Sequence, residues 1–307
     1  MTSFVDVMDG SFAIAWAARQ QLPTNAIPTP FESLNSICGD DGGAKGLAPG
    51  WFVSIGGGTS AGKSLLAEYM AFHAMAHGGA RVGFLSLEMS HVQLAARFYA
   101  MATGTPIRQL ERGRFSLAAF ERVLGKIYDL QETSARIGHR VPGFYVNQEP
   151  LNSIADVMAA CRYLRDEHGV DLFVLDYMQL VSTGDDDSIY NQVTEVASSL
   201  RLFAHAENVV IIALSQFNTA TGRDTTQKPT IYGMMGGGTI PSNADIVLLL
   251  DHSRYQRVDP MLARSFILVA KNRHGVEGEV PIEYCYSTLR IRQAEPDIEH
   301  LWSDLGK

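Results

Sequence analysis

Apolar residues along the chain fall into two alternating patterns. Short, nearly continuous apolar runs alternate with longer stretches in which apolar residues recur every three or four positions. The first pattern is typical of strands buried on both faces of a parallel sheet, and the second of amphipathic helices. The predicted strands are WFVSI, RVGFLSL, GFYV, DLFVLD and VVIIALS, and the predicted helices span 62–77, 90–103, 116–130, 152–168 and 188–207. This alternation predicts an α/β fold with helices flanking a mostly parallel sheet.

The pattern changes at both ends of the chain. After residue 245, the runs DIVLLLD, SFILVAK, EVPIEY and TLRIRQ follow one another without helices between them, so we expect antiparallel strands that extend the sheet. Residues 4–20 have the pattern of a short amphipathic helix. Residues 21–50 are rich in Pro, Gly and Asn, which predicts a linker.

Composition restricts the class of protein. The chain has 307 residues, of which 46% are hydrophobic and 19% charged, as expected for a soluble globular protein of one or two domains. Three widely separated cysteines predict neither a disulfide framework nor a zinc site, which fits a cytoplasmic location. The N-terminal apolar stretch follows acids and is too short to span a bilayer, so we expect neither a signal peptide nor a membrane partner. A net charge of −8 argues against broad basic patches but allows nucleic acid in a local channel.

The segment GGGTSAGKS at 56–64 carries the most specific motif. It contains G-x-x-x-x-G-K-S between a predicted strand and a predicted helix. Such a loop directs its amides and the positive end of the helix at a phosphate group. Its lysine would reach the β and γ phosphates, and its serine would hold Mg²⁺. ATP and Mg²⁺ are therefore the predicted cofactors, bound by Gly57, Gly58, Thr59, Ser60, Ala61, Gly62, Lys63 and Ser64.

Three polar residues stand at the ends of predicted strands. Asp176 ends DLFVLD, where a carboxylate points into the nucleotide crevice and can hold Mg²⁺ through water. Glu88 could serve as a general base, or it could cap the helix that starts near Ser90. Gln216 follows VVIIALS and could contact the γ-phosphate, or it could be an ordinary polar strand end.

Two regions of the second half raise open questions. In LVAKNRHGVEG, Lys271 and Arg273 would point to the same side of a strand, either as solvated loop charges or with a function. The polar, glycine-rich stretch 217–242 is a long predicted loop, and loops of that length are usually functional or disordered. Its only cations are Arg223 and Lys228.

Several of these motifs together resemble the motor domain of DnaB-like replicative helicases. The resemblance covers about residues 25–293 and rests on GGGTSAGKS, FLSLEMSHVQLAAR, HGVDLFVLDYMQL, IIALSQFN, SNADIVLLL and AKNRHGVEG. It implies a RecA-like fold and a ring-shaped homo-hexamer on single-stranded DNA, with a helicase loader and a primase as further partners. The implied domains are a linker-type helix and connector at 1–24, the motor domain at 25–293 and a tail at 294–307.

The resemblance also implies roles for single residues. Glu88 becomes the catalytic base, Asp176 the Mg²⁺ carboxylate and Gln216 the reporter of the γ-phosphate. Arg97, which closes EMSHVQLAAR, matches a nucleotide-contacting arginine. Lys271 and Arg273 match residues that reach across a subunit interface to the neighbour's γ-phosphate, where such an arginine is worth roughly 10³-fold or more in rate.

The chain departs from the family in two places. It is too short for the family's helical N-terminal domain, and the helix at 4–20 resembles instead the linker helix that docks on the next subunit, or a free tail. Where the family reads D-L-R-E-S-G, this chain has GMMGGG at 233–238, with Met235 in place of the phosphate-binding arginine. The residues expected to contact DNA are then Arg223, Lys228, Gly236, Gly237 and Gly238. The acidic segment STGDDDSIY further weakens the expectation of DNA binding.

Three functions are compatible with these residues. The first is a minimal DnaB-like hexameric helicase, in which ATP hydrolysis drives translocation and unwinding. The second is a RecA-like ATPase that assembles on DNA or protein without unwinding, such as a recombination mediator or a regulatory or defence ATPase. The third is a scaffold that uses ATP only to hold its subunits together, and the intact set of candidate catalytic residues argues against it.

Overall fold

In a computed structural model of the chain, the structure describes residues 26–39, 45–114, 142–147, 150–184, 188–218, 226–258 and 261–295, with a few positions between 116 and 125. The predicted helix at 4–20, most of the one at 116–130, Arg223 and the tail beyond 295 lie outside these residues. Among the described residues, no helix combines the length and the apolar character needed to cross a membrane.

One sheet organises the described part of the chain, in the order β3-β2-β4-β5-β1-β6-β7-β8-β9. Its strands are β1 (Phe52–Gly57), β2 (Arg81–Ser86), β3 (Gly143–Val146), β4 (Leu172–Asp176), β5 (Val210–Gln216), β6 (Ile246–Arg257), β7 (Leu262–Asn272), β8 (Gly278–Cys285) and β9 (Arg290–Gln293). Neighbours from β3 to β6 are parallel, and neighbours from β6 to β9 are antiparallel. The predicted fold class is confirmed.

The strand that follows residue 245 needs a correction. β6 pairs antiparallel with β7, as expected, but on its other side it pairs parallel with β1, with Val53 opposite Ile246. It therefore belongs to both halves of the sheet. Because all of its first five residues are buried, its apolar pattern fits a strand covered on both faces.

Helices cover both faces of the sheet. They are α1 (Glu32–Cys38), α2 (Lys63–Ala76), α3 (His91–Thr103), α4 (Ile107–Glu111), α5 (Ile154–His168), α6 (Ile189–Glu207) and α7 (Thr239–Asn243). Alternate residues of β1 divide between two cores: Val53 and Ile55 pack with α2 and α3, whereas Phe52 packs with α5 and α6. Burial of β1 at all six positions follows from this two-sided cover.

Two stretches predicted as irregular contain helices. Within the predicted linker 21–50, Phe31, Leu34 and Cys38 are buried on one face of α1, and the Asn35 side chain bonds to both backbone polar groups of Thr29. The predicted loop 217–242 contains a 3₁₀ turn at Ile231–Gly233 and then α7. The sequence prediction was wrong here, because tertiary burial outweighed the local Pro and Gly content.

Candidate nucleotide site

The phosphate loop lies between the end of β1 and the start of α2. Ser60 and Gly62 adopt positive φ angles of 59° and 90°, which turn the chain sharply into the helix. The Lys63 ammonium donates to the carbonyl oxygens of Gly57 at 3.0 Å and Gly58 at 2.7 Å. A Cβ atom on Gly57 would lie 3.0 Å from Lys63 Cγ, so glycine lets the lysine side chain fold over the loop.

Lys63 is a buried cation at the mouth of this loop. Burial lowers the pKa of Lys63 to about 8, against the opposing attraction of the Asp176 and Glu88 carboxylates. An ammonium that has lost water and faces several amide groups is suited to a polyanion such as a nucleotide phosphate.

Asp176 and Ser64 meet beneath the loop and form the candidate Mg²⁺ site. The Asp176 side chain is almost fully buried, and burial raises the pKa of its carboxyl although a hydrogen bond from Ser64 opposes the shift. Among the described residues, Asp176 Oδ2 has no hydrogen-bond partner. A buried carboxylate oxygen beside a hydroxyl fits hydrated Mg²⁺, which binds proteins through one or two such oxygens.

Glu88 lies two residues beyond the end of β2 and is exposed. The alternative that it caps α3 is wrong, because the Ser90 side chain accepts a hydrogen bond from the Gln93 amide and Gln93 completes the capping box. Glu88 is instead close enough to Lys63 and Tyr177 to perturb the pKa of each. The structure therefore leaves its carboxylate available at the mouth of the site.

Gln216 lies next to the phosphate loop across the sheet, since it pairs with Gly57. Its side chain forms a hydrogen bond with the Tyr177 hydroxyl, and its amide donates to Gln179 Oε1 at 3.4 Å. Its carbonyl accepts from the Met235 amide at 2.8 Å. One residue thus contacts both the nucleotide edge and the segment predicted to bind DNA.

Arg97 is held by a residue that the sequence did not single out. Its Nε lies 2.7 Å from Oε2 of Glu68, whose side chain is fully buried one turn after Ser64. Burial raises the pKa of Glu68 to about 7, and the charge of Arg97 opposes that shift. Arg97 therefore anchors α3 to the underside of the loop, and its predicted contact with nucleotide stays a prediction.

Two aromatic residues of the C-terminal strands also support the loop. His252 of β6 lies with Nε2 2.9 Å from the Ala61 carbonyl oxygen. The Tyr284 ring is fully buried, and a Cβ atom on Gly62 would lie 3.3 Å from it. Sequence reasoning missed both, because each occupies an ordinary position in a predicted strand, and only the packing of β6 and β8 brings them to the loop.

Lys271 and Arg273 lie at the other edge of the sheet from the phosphate loop. Asn272 pairs with Ile246, which pairs with Val53 at the start of β1. Four residues at about 3.3 Å each separate Val53 from Gly57, so the cations start about 13 Å from the loop of their own chain.

The two cations nevertheless lie on one side, as predicted, and they are not simply solvated. Lys271 donates to the carbonyl oxygens of Pro241 and, at 2.8 Å, of Ala244. Arg273 donates to the Ser242 carbonyl oxygen. Both side chains therefore hold the C-terminal end of α7.

The described residues expected to contact DNA already have partners within the chain. Lys228 forms an ion pair with Glu279 of β8. The Gly237 amide donates to the Met234 carbonyl oxygen at 2.9 Å, and Gly236 packs so closely that a Cβ atom would lie 2.8 Å from Val193 of α6. Gly238 precedes α7 and is exposed. Arg223 lies outside the described residues.

A phosphate loop after β1, a carboxylate at the tip of β4 and a glutamine at the tip of β5 define a P-loop ATPase core. Over residues 26–293 the chain matches the family described as DnaB-like helicase C terminal domain, and it belongs to that family.

Known proteins agree with this assignment. The chain is 26% identical over 260 residues to the replicative DNA helicase DnaB of Leifsonia xyli subsp. xyli, covering 84% of this chain and 54% of that protein. It is 32% identical over 254 residues to a probable plasmid replicative DNA helicase of Chlamydia trachomatis serovar L2, covering 82% and 51%. The chain thus spans about half the length of the curated relatives it matches.

Solved structures show the same fold. A solved structure of an isolated ATPase domain superimposes with a TM-score of 0.75 at 20% identity, covering 94% of this chain and 99% of that one. A DnaB-like replicative helicase, studied together with its interactions with primase, gives a TM-score of 0.74 at 19% identity, covering 96% and 68%.

Proposed function

We propose that this chain is a DnaB-like helicase motor that hydrolyses ATP to translocate on single-stranded DNA and unwind duplex during replication. The observation that carries the proposal is the convergence of the loop lysine, both carboxylates and the strand-end glutamine at one sheet edge, in a chain of the DnaB-like helicase family. Residues 25–293 form the proposed motor domain, 1–24 a linker helix and connector, and 294–307 a tail.

Within the nucleotide site, each residue has a distinct proposed task. Lys63 and the loop amides bind the phosphates of ATP. The exposed Glu88 carboxylate orients the attacking water and accepts its proton. Ser64 and Asp176 would hold Mg²⁺, which when bound neutralises charge on the β and γ phosphates.

Gln216 is the proposed link between hydrolysis and movement. Its side chain can contact the γ-phosphate, while its carbonyl oxygen accepts from the Met235 amide. A shift of β5 by a fraction of an ångström on loss of the γ-phosphate would therefore be passed directly to the 235–238 segment. That segment, with Lys228 and Arg223, is the proposed contact with the DNA backbone, made without reading bases.

Lys271 and Arg273 are the proposed fingers for the neighbouring subunit. They lie at the sheet edge away from their own phosphate loop, so they would complete a site only across an interface. A site that lacks these cations until a neighbour supplies them gives a physical reason for assembly into a ring homo-hexamer. A helicase loader and a primase, in the cytoplasm, are the further proposed partners.

Strand displacement on a forked DNA duplex tests the proposal. The parent chain should release the displaced strand with ATP, and the Lys63→Ala variant should not. Absence of displacement by an oligomer that binds single-stranded DNA and hydrolyses ATP would contradict the helicase function while leaving the ATPase site intact.

A RecA-like ATPase that assembles without unwinding is the second candidate. The observation that favours it is the weak charge of the DNA segment, where Met235 replaces an arginine and Lys228 is paired with Glu279. Such a protein would hydrolyse ATP with little stimulation by single-stranded DNA. Stimulation together with strand displacement selects the helicase, whereas hydrolysis without either selects this second function.

A further inference from the structure

Arg273 follows the last residue of β7 and depends on a neighbouring segment for its position. Its amide donates to the Asp245 carbonyl oxygen at 2.9 Å. Its guanidinium donates to the Ser242 carbonyl oxygen, and its Nη1 lies 3.6 Å from Asp245 Oδ1. The side chain is about one-third exposed, so part of it stays open towards solvent.

Asp245 is a mostly buried residue that joins Arg273 to β1. Its amide donates to the Phe52 carbonyl oxygen at 2.8 Å, and its Oδ2 accepts from the Phe52 amide at 2.9 Å. Its Oδ1 faces cationic side chains instead, with Arg273 at 3.6 Å and the His274 ring, which stacks on Trp51, at 3.8 Å. One carboxylate oxygen thus serves the fold and the other faces the arginine.

The same backbone arrangement occurs a second time in the chain. Asp171, just before β4, donates through its amide to the Arg81 carbonyl oxygen at 2.8 Å, and its Oδ2 accepts from the Arg81 amide at 3.0 Å. Its Oδ1 lies 3.7 Å from Arg165. Arg165 lies on α5 and has no proposed part in hydrolysis. Asp171 therefore provides a matched comparison for the contribution of such an aspartate to stability alone.

We propose that Asp245 is a positioning residue for Arg273, which holds the guanidinium in the orientation that reaches the neighbouring subunit's nucleotide. The proposal rests on the trans role given to Arg273 under the proposed function. An arginine with four rotatable side-chain bonds loses much entropy when it is fixed at a phosphate. An ion pair and a backbone hydrogen bond that hold it beforehand remove part of that cost from the reaction.

The isosteric variant Asp245→Asn separates the two carboxylate oxygens. The amide oxygen can still accept from Phe52, but an amide NH₂ now faces the guanidinium, so the ion pair is lost while the strand contact remains. Turnover should fall roughly 10-fold to 100-fold, since a displacement of about 1 Å can have an effect of that size. KM for ATP, ring size by light scattering and the melting temperature should match the parent, because Asp245 does not touch the nucleotide site of its own chain.

Three comparisons decide the matter. Asp171→Asn should keep parental turnover. The double variant Asp245→Asn/Arg273→Ala should turn over no more slowly than Arg273→Ala alone, because the aspartate acts only through the arginine. The same cycle with Asp245→Glu, which keeps the charge but moves the carboxylate by one methylene, should again show no added loss, and it serves if the asparagine variant is not folded.

Contrary outcomes separate this inference from the proposed function. Reduced turnover in Arg273→Ala with parental turnover in Asp245→Asn would overturn the inference alone. An equal loss in Asp171→Asn, or a double variant slower than Arg273→Ala, would show a general effect on folding. Parental turnover in Arg273→Ala would overturn the trans role of the arginine and the inference together.

Discussion

At the residue scale, the carboxylate of Glu88 and the ammonium of Lys63 divide binding from chemistry. Lys63 is buried inside the phosphate loop, whereas Glu88 is exposed at its mouth and has no part in capping α3. Removing one should therefore abolish tight binding, and removing the other should leave it.

The Glu88→Gln variant should bind ATP and Mg²⁺ like the parent but turn over at least about 100-fold more slowly, because only proton transfer is lost. Lys63→Ala should lose both binding and hydrolysis. Fluorescent-nucleotide titration and steady-state hydrolysis measure the two quantities separately. Wild-type turnover in Glu88→Gln would show that another group accepts the proton.

Nucleotide affinity should also depend on pH. Burial lowers the pKa of Lys63 to about 8, and a bound phosphate favours the charged ammonium, which raises that pKa again. Binding then takes up a proton above pH 8, so affinity should be constant below that pH and fall as pH rises through it. The protonated fraction predicts a dissociation constant about 10-fold larger at pH 9 than at pH 7. Titrations at both pH values, with circular dichroism to confirm an unchanged fold, would measure it, and equal constants would contradict a buried, titrating Lys63.

At the element scale, α7 and the turn before it connect three proposed functions. The turn receives a hydrogen bond relay from Gln216 through Met235, and the end of α7 accepts hydrogen bonds from Lys271 and Arg273. A DNA contact at residues 235–238 would therefore act on an element that touches both the γ-phosphate reporter and the fingers.

Charge placed at this turn should strengthen DNA binding. Met235 is partly exposed, so Met235→Arg restores a cation where the family has one, whereas Met235→Leu keeps the size and polarity. We expect tighter binding of single-stranded DNA by the arginine variant and a log–log salt slope steeper by about 0.7 for each added phosphate contact. Fluorescence anisotropy at several salt concentrations measures both. Equal binding by the two variants would place the DNA contact elsewhere.

Regular elements were predictable from sequence because burial on two faces leaves a strong local pattern. The predicted helices at 62–77 and 188–207 begin and end within one residue of α2 and α6. The phosphate-loop residues and Asp176 were equally clear, since a strand end and a helix start are local features. In contrast, α1 was missed because only burial of Phe31 and Leu34 stabilises it within a Pro-rich and Gly-rich stretch.

Contacts between segments far apart in sequence could not be predicted. The Glu68 partner of Arg97, the His252 contact with Ala61 and the attachment of Lys271 to α7 each depend on how helices and strands pack. A pattern of polar and apolar positions shows which residues are buried but not which buried residue faces which charge. The pairing of Lys228 with Glu279 also belongs to this group, and it changes the charge that the DNA segment presents.

At the scale of the whole molecule, the sheet separates each chain into two unlike edges. One edge carries the phosphate loop, and the other carries Lys271 and Arg273 at the end of β7. An assembly in which the second edge of one subunit meets the first edge of the next is head-to-tail, and it closes into a ring when the rotation between subunits allows.

Subunit mixing tests this arrangement directly. The Lys63→Ala subunit has intact fingers but no working site, and the Arg273→Ala subunit has a working site but lacks the arginine. Each variant alone should therefore be inactive, but in a mixed ring the fingers of the first can complete the site of the second. In an equal, random mixture about a quarter of head-to-tail interfaces have that order, so mixing should restore hydrolysis to at most about a quarter of the parental rate. The control is a mixture of Lys63→Ala with Lys63→Ala/Arg273→Ala, which contains no completed site. Hydrolysis by the first mixture alone would establish action in trans, whereas no recovery in rings shown by light scattering to contain both subunits would mean that Arg273 serves its own chain.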